Sequence, residues 1–230
     1  MSRLGTKPVL LHLDASPRAE RSITRQLTND FAAAWKQAHP GGKIIYRDLG
    51  RNPVPLVTET FIAAVYTPPA ARPPELRAAV AISDQLISEL ETAADYVFGV
   101  PMYNFSVPAG FKAYIDQIVL PGRTYTTDES GFKRGSLHGK KATVITSSGW
   151  LYRKGSRLAP YNLQEPWIRM ILGFIGVTNV DFIVADGVAE IERGKREREQ
   201  YLKPIREEVQ RKADSACTRL LNLNTMPAHE

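Results

Sequence analysis

Pro8-Val9-Leu10-Leu11-His12-Leu13, running on into Asp14-Ala15-Ser16-Pro17-Arg18-Ala19-Glu20-Arg21-Ser22-Ile23-Thr24, is the stretch whose reading decides the fold. Pro8 to Leu13 is apolar except for His12, the pattern of a short strand buried on both faces. Asp14 ends the run, and a loop rich in hydroxyls and arginines follows. From Ile23 through Ala38 the apolar residues Leu27, Phe31, Ala34 and Trp35 recur on one face of a helix. A buried strand handing over to an amphipathic helix is half of a parallel α/β unit.

Working outward, the same alternation repeats. Ile44 to Tyr46, Tyr96 to Val100, Ala142 to Thr146 and Val180 to Ala185 read as further strands. Helices are expected over Glu75 to Leu90, Phe111 to Val119, Pro160 to Phe174 and Ile191 to about Leu221, the last disturbed at Pro204. Asn52 to Pro74 holds six prolines and reads as an irregular excursion around a short helix at Thr58 to Val65. A polar, glycine-containing insertion at about 120–139 exceeds a routine connection, and loops of that length are usually functional or mobile. The pattern implies an α/β protein with a flavodoxin-like, doubly wound, five-stranded parallel sheet of order 2-1-3-4-5 and helices on both faces. It is read as a single domain over 1–230, with the insertion and a helical C-terminal tail. Such sheets bind ligands beyond the carboxyl ends of their strands, at the topological switch point. The segments after Leu13, Val100 and Thr146 are therefore the ones to inspect.

In the first of these, the hydroxyls of Ser16, Ser22 and Thr24 and the N–H groups opening the helix can cradle a phosphate, with Arg18 or Arg21 adding charge. Ser22 can equally be a helix cap, and both readings stand at this point. No phosphate-loop lysine and no G-x-G-x-x-G is present, which disfavours nucleoside triphosphates and ordinary dinucleotide folds. Asp14 would repel a phosphate, so a structural role is assigned to it. The second segment, Pro101-Met102-Tyr103-Asn104-Phe105-Ser106-Val107-Pro108, places two aromatics, an amide and a thioether at a strand's carboxyl end. That set suits a flat heteroaromatic ligand such as a flavin; the alternative is that Tyr103 and Phe105 pack the end of the sheet. The third, Thr146-Ser147-Ser148-Gly149-Trp150, allows close backbone approach to a ligand edge, or is a simple turn.

Bulk composition bounds the alternatives. The 230 residues are 43% hydrophobic and 23% charged, enough apolar material for a proper core. One cysteine, Cys217, excludes an intramolecular disulfide and a multi-cysteine metal site, and reads as a packed or idle thiol. His12, His39, His138 and His229 are scattered without metal spacing, so no metal is expected. The net charge of +6 suits phosphate-bearing cofactors and anionic substrates. Its C-terminal share, from Arg193 to Arg211, is interleaved with glutamates and reads as a solvated helix face rather than a nucleic-acid arm. No targeting segment and no run of membrane-spanning length is visible, so a cytoplasmic protein without nucleic-acid or membrane partners is expected.

Taken together, the Ser16-Pro17-Arg18 and Ser22-Ile23-Thr24 segments, the Pro101 to Phe105 segment and the Thr146 to Gly149 segment resemble the FMN-dependent NADH-azoreductases and related NAD(P)H quinone reductases. Arg47-Asp48-Leu49, Asn52-Pro53-Val54-Pro55 and Leu172-Gly173-Phe174-Ile175-Gly176 extend the resemblance, which covers roughly Val9 to Val188. It implies that Ser16, Ser22, Ile23 and Thr24 hold an FMN phosphate. Met102, Tyr103, Asn104 and Phe105 would line the isoalloxazine ring, and Ser147, Ser148, Gly149 and Trp150 would contact its opposite side. It also implies NADH or NADPH as donor, quinones or azo compounds as acceptors in ping-pong turnover at the flavin, and a homodimer with active sites at its interface. No protein acid or base is singled out. Tyr125, Thr127 and Phe174 are the implied substrate-pocket residues, Phe174 lying near the pocket of a partner subunit. Trp150 stands where the family usually has a second glycine, and Thr127 where it has an aromatic, for which nearby Tyr125 can substitute; both bear on acceptor preference. The competing readings are an FMN electron carrier, which is typically acidic, and an FMN or chromate reductase on the same fold.

Overall fold

A computed structural model of the chain describes residues 7–225, with side chains described through Ala216. Cys217 and His229 lie outside the described side chains. The strands and helices alternate as β1 (Val9–Asp14), α1 (Ile23–Ala38), β2 (Lys43–Asp48), α2 (Glu59–Tyr66), α3 (Pro74–Thr92), β3 (Asp95–Pro101) and α4 (Ala109–Ile118). A hairpin of β4 (Tyr125–Thr127) and β5 (Lys133–Gly135) follows, then β6 (Lys141–Ser148), α5 (Gln164–Phe174), β7 (Asn179–Asp186), α6 (Ala189–Glu192) and α7 (Arg198–Thr225).

Five strands form one parallel sheet in the order β2-β1-β3-β6-β7, which is 2-1-3-4-5 once the hairpin is set aside. Every residue of β3 is buried, as its central place requires. Because side chains alternate across a strand, β1 sends Leu11 and Leu13 to one face and Leu10 to the other. On the first face Phe98 and Val144 pack against Leu86, Leu90, Phe111, Tyr114, Ile168 and Leu172 of α3, α4 and α5. On the second, Val97, Ile145 and Ile183 pack against Leu27, Phe31 and Trp35 of α1 and Leu202 and Val209 of α7. Each such fully buried side chain contributes about 1.5–3 kcal/mol of transfer free energy.

Three expectations change in detail. The expected helix from Pro160 begins as a short 3-10 turn, Ala159–Tyr161, and becomes α-helical only at Gln164. The insertion is not structureless: β4 and β5 pair from Tyr125↔Gly135 to Thr127↔Lys133, and Asp128 Oδ1 accepts from the N–H groups of Ser130 and Phe132 to close the turn. The expected single final helix is two. Gly194, at φ +67°, ends α6, with Lys195 N–H donating to the Glu190 carbonyl and Gly194 N–H to that of Ile191. That bond pair is the Schellman stop, which favours glycine at the left-handed position. The basic stretch from Arg193 thus starts in a loop, and α7 then runs through Pro204 to Thr225.

Candidate active site

The carboxyl ends of β1, β3 and β6 converge on a cleft lined by Ser16, Ser22, Ile23, Pro101, Met102, Tyr103, Ser147, Ser148 and Gly149. Its outer wall comes from the segment after β7, through Val188, Ile191, Glu192 and Arg198, with Arg18 and Arg21 on the loop opposite.

The first loop is held from beneath. Arg25, one turn into α1, is buried, and its Nε and Nη2 donate to the Ser16 carbonyl at 3.0 and 2.6 Å. Its other donors reach Asp48 Oδ2 at 2.8 Å, Asp48 Oδ1 at 2.5 Å and the Tyr46 hydroxyl at 3.0 Å. Asp14 accepts from Thr28 Oγ1 at 2.9 Å and from Tyr46 Oη at 3.1 Å, with His12 Nε2 3.4 Å away. The first loop, the start of α1 and the end of β2 are therefore one buried, hydrogen-bonded unit. The Asp48 hydrogen bond raises the Arg25 pKa. Burial alone would push the Asp48 carboxyl up, yet the Arg25 guanidinium and the Arg51 N–H hold it below the usual carboxylate range. Burial and the Asp14 charge push the Tyr46 phenol up to about 12, so it stays a donor. Gly50 makes the packing possible: a Cβ there would lie 1.9 Å from the Ser16 carbonyl oxygen.

Ser22 is a helix cap. Its Oγ caps α1 by accepting from Arg25 N–H at 3.3 Å, and it also lines the cleft. Among the described residues the cap leaves the N–H groups of Ile23 and Thr24 for a ligand. Thr24 itself is fully buried, its hydroxyl 3.2 Å from that of Ser22, so what it offers the cleft is its N–H. Asp14 is structural, as its chemistry suggested.

In the second loop Tyr103 and Ser106 exchange backbone hydrogen bonds of 3.0 and 3.1 Å. The two residues between them, Asn104 and Phe105, are the non-glycine residues with positive φ among those described, at 47° and 70°. Consecutive left-handed residues in a two-residue hairpin are the type I′ arrangement, which favours Asn first and Gly second. A phenylalanine in the second place is strained, and strain of this kind collects at functional sites. The turn occupies the N–H groups of Tyr103 and Ser106, which leaves those of Asn104 and Phe105 for a ligand edge. Phe105 is half exposed, its ring 5.9 Å from Tyr161 and 6.3 Å from Tyr152.

The third loop completes the cleft. Ser147 accepts from Met102 N–H at 2.7 Å, which fixes the second loop to the third. Gly187, Val188 and Ala189 donate to the carbonyls of Trp150, Ser148 and Gly149. Trp150 is 54% exposed and lines a neighbouring apolar groove with Phe105, Leu151, Leu158 and Tyr161. The Arg193 guanidinium lies 4.9 Å from its ring centre.

The structure thus gathers Ser16, Ser22, Ile23, Met102, Tyr103, Ser147, Ser148 and Gly149 at one cleft, with Asn104, Phe105 and Trp150 at its mouth. It does not bring Tyr125, Thr127 and Phe174 there. Tyr125 and Phe174 meet each other, ring centres 5.0 Å apart, with Thr127 two residues along β4. Gln164, at the head of α5, donates to the Val100 carbonyl at the cleft end of β3. Phe174 is ten residues further on, about 15 Å along the helix axis. The sequence reading missed the wall after β7 and the Arg25–Asp48 pair. Gly187 directly after the fifth strand was the available signal for the wall. Among the described residues no cluster of His, Cys, Asp and Glu could hold a metal ion, and no helix is long and apolar enough to cross a membrane.

Sheet order, switch-point cleft, buried serine loop and strained aromatic turn define a flavodoxin-like protein. The family described as "Flavodoxin-like fold" matches residues 9–209. An FMN-dependent NADH:quinone oxidoreductase of Nostoc punctiforme is 51% identical over 181 residues, covering 79% of this chain and 88% of that one. A second, from Trichormus variabilis, is 48% identical over 200 residues, covering 87% and 95%. The crystal structure of an azoreductase from Bacillus anthracis superposes with a TM-score of 0.80 at 25% identity, covering 90% of this chain and 99% of that one. The chain belongs to this flavodoxin-like family of FMN-dependent NADH:quinone oxidoreductases.

Proposed function

We propose that the protein is an FMN-dependent oxidoreductase that takes electrons from NADH, or NADPH, and passes them to quinones and azo compounds. The observation that carries this is the cleft itself: a serine-lined pocket at a helix start, beside a strained aromatic turn. Bound FMN would supply the two-electron chemistry, accepting hydride from the nicotinamide and passing it to the acceptor.

The chain's own residues do the rest. Ser16 and Ser22, with the N–H groups of Ile23 and Thr24 and the positive end of α1, hold the phosphate. The Arg25 network fixes their spacing. Met102, Tyr103 and the Asn104 and Phe105 N–H groups sit along the ring edge, where fixed dipoles stabilise negative charge on the reduced ring. Ser147 to Gly149 allow the ring to approach the backbone. Donor and acceptor use the same apolar face beside Phe105 and Trp150 in turn, which makes turnover ping-pong.

The reading includes a homodimer with the active site at its interface, in the cytoplasm, where nicotinamide coenzymes are at hand. Phe105, Trp150, Leu151, Tyr161 and Leu163 are exposed, a concentration of large apolar side chains around one site. The Tyr125–Phe174 pair would reach a cleft only across such an interface. Light scattering at working concentration tests the dimer: a monomer that turns over at full rate sinks it. The activity is tested by the visible spectrum of the purified protein and its change with NADH under anaerobic conditions. A yellow protein that bleaches and recovers on adding a quinone is the expected result. A colourless protein that FMN does not reconstitute overturns the reading.

A further inference from the structure

The strained turn at the mouth of the cleft hangs on few bonds. Among the described residues, two backbone hydrogen bonds tie residues 102–107 to the remainder of the chain. Met102 N–H donates to the Ser147 carbonyl of β6, and Leu163 N–H donates to the Phe105 carbonyl at 3.1 Å. A third bond reaches the base of the segment from the residue next to Leu163: Gln164 Nε2 donates to the Val100 carbonyl at 3.1 Å. Pro101, which follows Val100, brings no N–H of its own. The head of α5 thus grips the segment at two points, where it leaves β3 and inside the turn.

That head is firmly placed. Asn162 Oδ1 accepts from Glu165 N–H at 3.2 Å and caps α5, while Ile168 and Leu172 of the same helix are fully buried in the core. The Gln164 side chain is 2% exposed, although glutamine usually lies at the surface. Burying a carboxamide costs free energy unless it is hydrogen-bonded, and Val100 is where Gln164 donates. Asn104 and Phe105, at φ 47° and 70°, need such an anchor, because residues in the left-handed region persist where the surrounding structure over-determines them.

We propose that Gln164 is a positioning residue for the flavin. Together with Leu163 N–H it holds residues 101–105 so that the Asn104 and Phe105 N–H groups stay aimed at the ring edge, and it thereby sets how strongly the site favours the reduced ring over the oxidised one. This deepens the function proposed above and rests on its placement of the ring. Donors stabilise charge developing on a bound group only while they are held in place. Loosening the grip therefore weakens binding of the reduced, negatively charged ring more than binding of the oxidised one. The first loop, bonded separately to Arg25, is left as it was.

Two variants loosen the grip independently. Gln164→Met keeps the length of the side chain and has no donor. Leu163→Pro removes the N–H that Phe105 uses, at an exposed position before α5 whose φ of −87° lies near the proline range. Gln117→Met is the control: Gln117 is another buried glutamine, on α4, whose Nε2 donates to the Pro55 carbonyl at 2.9 Å. Reductive titration of the FMN-loaded protein against a reference dye is expected to show both test variants holding reduced FMN about tenfold less tightly, relative to oxidised FMN, than wild type does. For a two-electron couple that is a midpoint about 30 mV more negative. Affinity for oxidised FMN should stay within about threefold. Gln117→Met should melt at a lower temperature and keep the wild-type midpoint. In the protein without FMN, exchange of the Tyr103 and Ser106 amide hydrogens should quicken about fivefold in Gln164→Met.

A Gln164→Met protein that keeps the wild-type midpoint overturns the proposal, whatever its melting temperature or amide exchange, because Gln164 is then merely structural. If Gln164→Met does not fold, Leu163→Pro decides by the same midpoint. A yellow wild type that reduces no quinone defeats the oxidoreductase reading instead, and the midpoints then decide the grip alone. A wild type that takes up no FMN overturns both.

Discussion

The two ends of the cleft are built on opposite principles. At the end proposed to hold the phosphate Ser16, Ser22, Thr24 and Arg25 are all at least nine-tenths buried, and the loop is bonded to Arg25 of α1, which is bonded in turn to Asp48 at the end of β2. At the ring end Phe105, Trp150 and Tyr161 are each about half exposed, held by a strained two-residue turn and by aromatic neighbours. The first end is finished before any ligand arrives. The second presents apolar surface that a ring, a substrate or a second subunit has to cover. A cofactor that must stay and substrates that must leave call for this division: preorganisation lowers the cost of binding the resident group, and a looser end lets successive partners exchange.

The contrast is broken most severely at Gly50. An alanine Cβ would sit 1.9 Å from the Ser16 carbonyl oxygen, a backbone atom that cannot move aside without dragging the loop. Gly50→Ala is expected to lower FMN affinity by about a hundredfold or more, equivalent to about 3 kcal/mol, as read by quenching of flavin fluorescence. Wild-type affinity in that variant would mean the loop is softer than its bonding implies. Arg25→Gln comes next. Removing one partner of a buried ion pair costs about 3–5 kcal/mol of folding stability, because Asp48 and Asp14 are left without their cation. To separate stability from positioning, FMN and riboflavin are compared: loss of affinity for FMN should exceed loss for riboflavin, which lacks the phosphate, and Arg25→Lys should recover part of it. Equal losses for both ligands would make Arg25 merely structural.

A smaller effect of the same pair appears in acid. The Asp48 carboxyl has its folded-state pKa depressed, so the stability it contributes is present above the ordinary carboxylate pKa of about 3.9 and is lost as pH falls through the depressed value. Thermal melts of wild type should therefore steepen their decline below about pH 4. Asp48→Asn should be less stable near neutrality but decline less steeply in that window. Parallel curves would show that the pair contributes nothing to acid sensitivity.

How much of this was legible follows the same division. The sheet could be read because β1, β3, β6 and β7 are apolar runs of strand length, and strand order then pointed to the loops after Leu13, Val100 and Thr146. The hydroxyls of Ser16 and Ser22, which line the cleft, were visible because such residue types stand out beside an apolar strand. Asp48 was visible as part of the Arg47-Asp48-Leu49 segment and Arg25 only as a charge, since nothing in the sequence says that residues 23 apart share a buried bond. Ile191 in the wall was hidden at the start of what read as a continuous helix, because a glycine among charged residues does not reveal its left-handed φ. Phe105 showed its ring but not its strain.

That strain supplies the mildest test of the comparison. A non-glycine residue in the left-handed region costs about 1–2 kcal/mol, and Phe105 bears this cost beside Asn104, which tolerates the conformation better. Phe105→Gly removes the strain and also the half-exposed ring, while adding about 0.5–1 kcal/mol of chain entropy to the unfolded state. The two sides nearly cancel, so the melting temperature should move by only a few degrees. Acceptor KM should rise several-fold, because the ring no longer lines the groove. If melting instead falls as far as loss of a well-packed core phenylalanine would require, about 3 kcal/mol or more, Phe105 belongs to the core and the ring end is as rigid as the phosphate end. If neither quantity changes, the turn bears strain to no purpose, and the ligand face must lie on the other side of Tyr103.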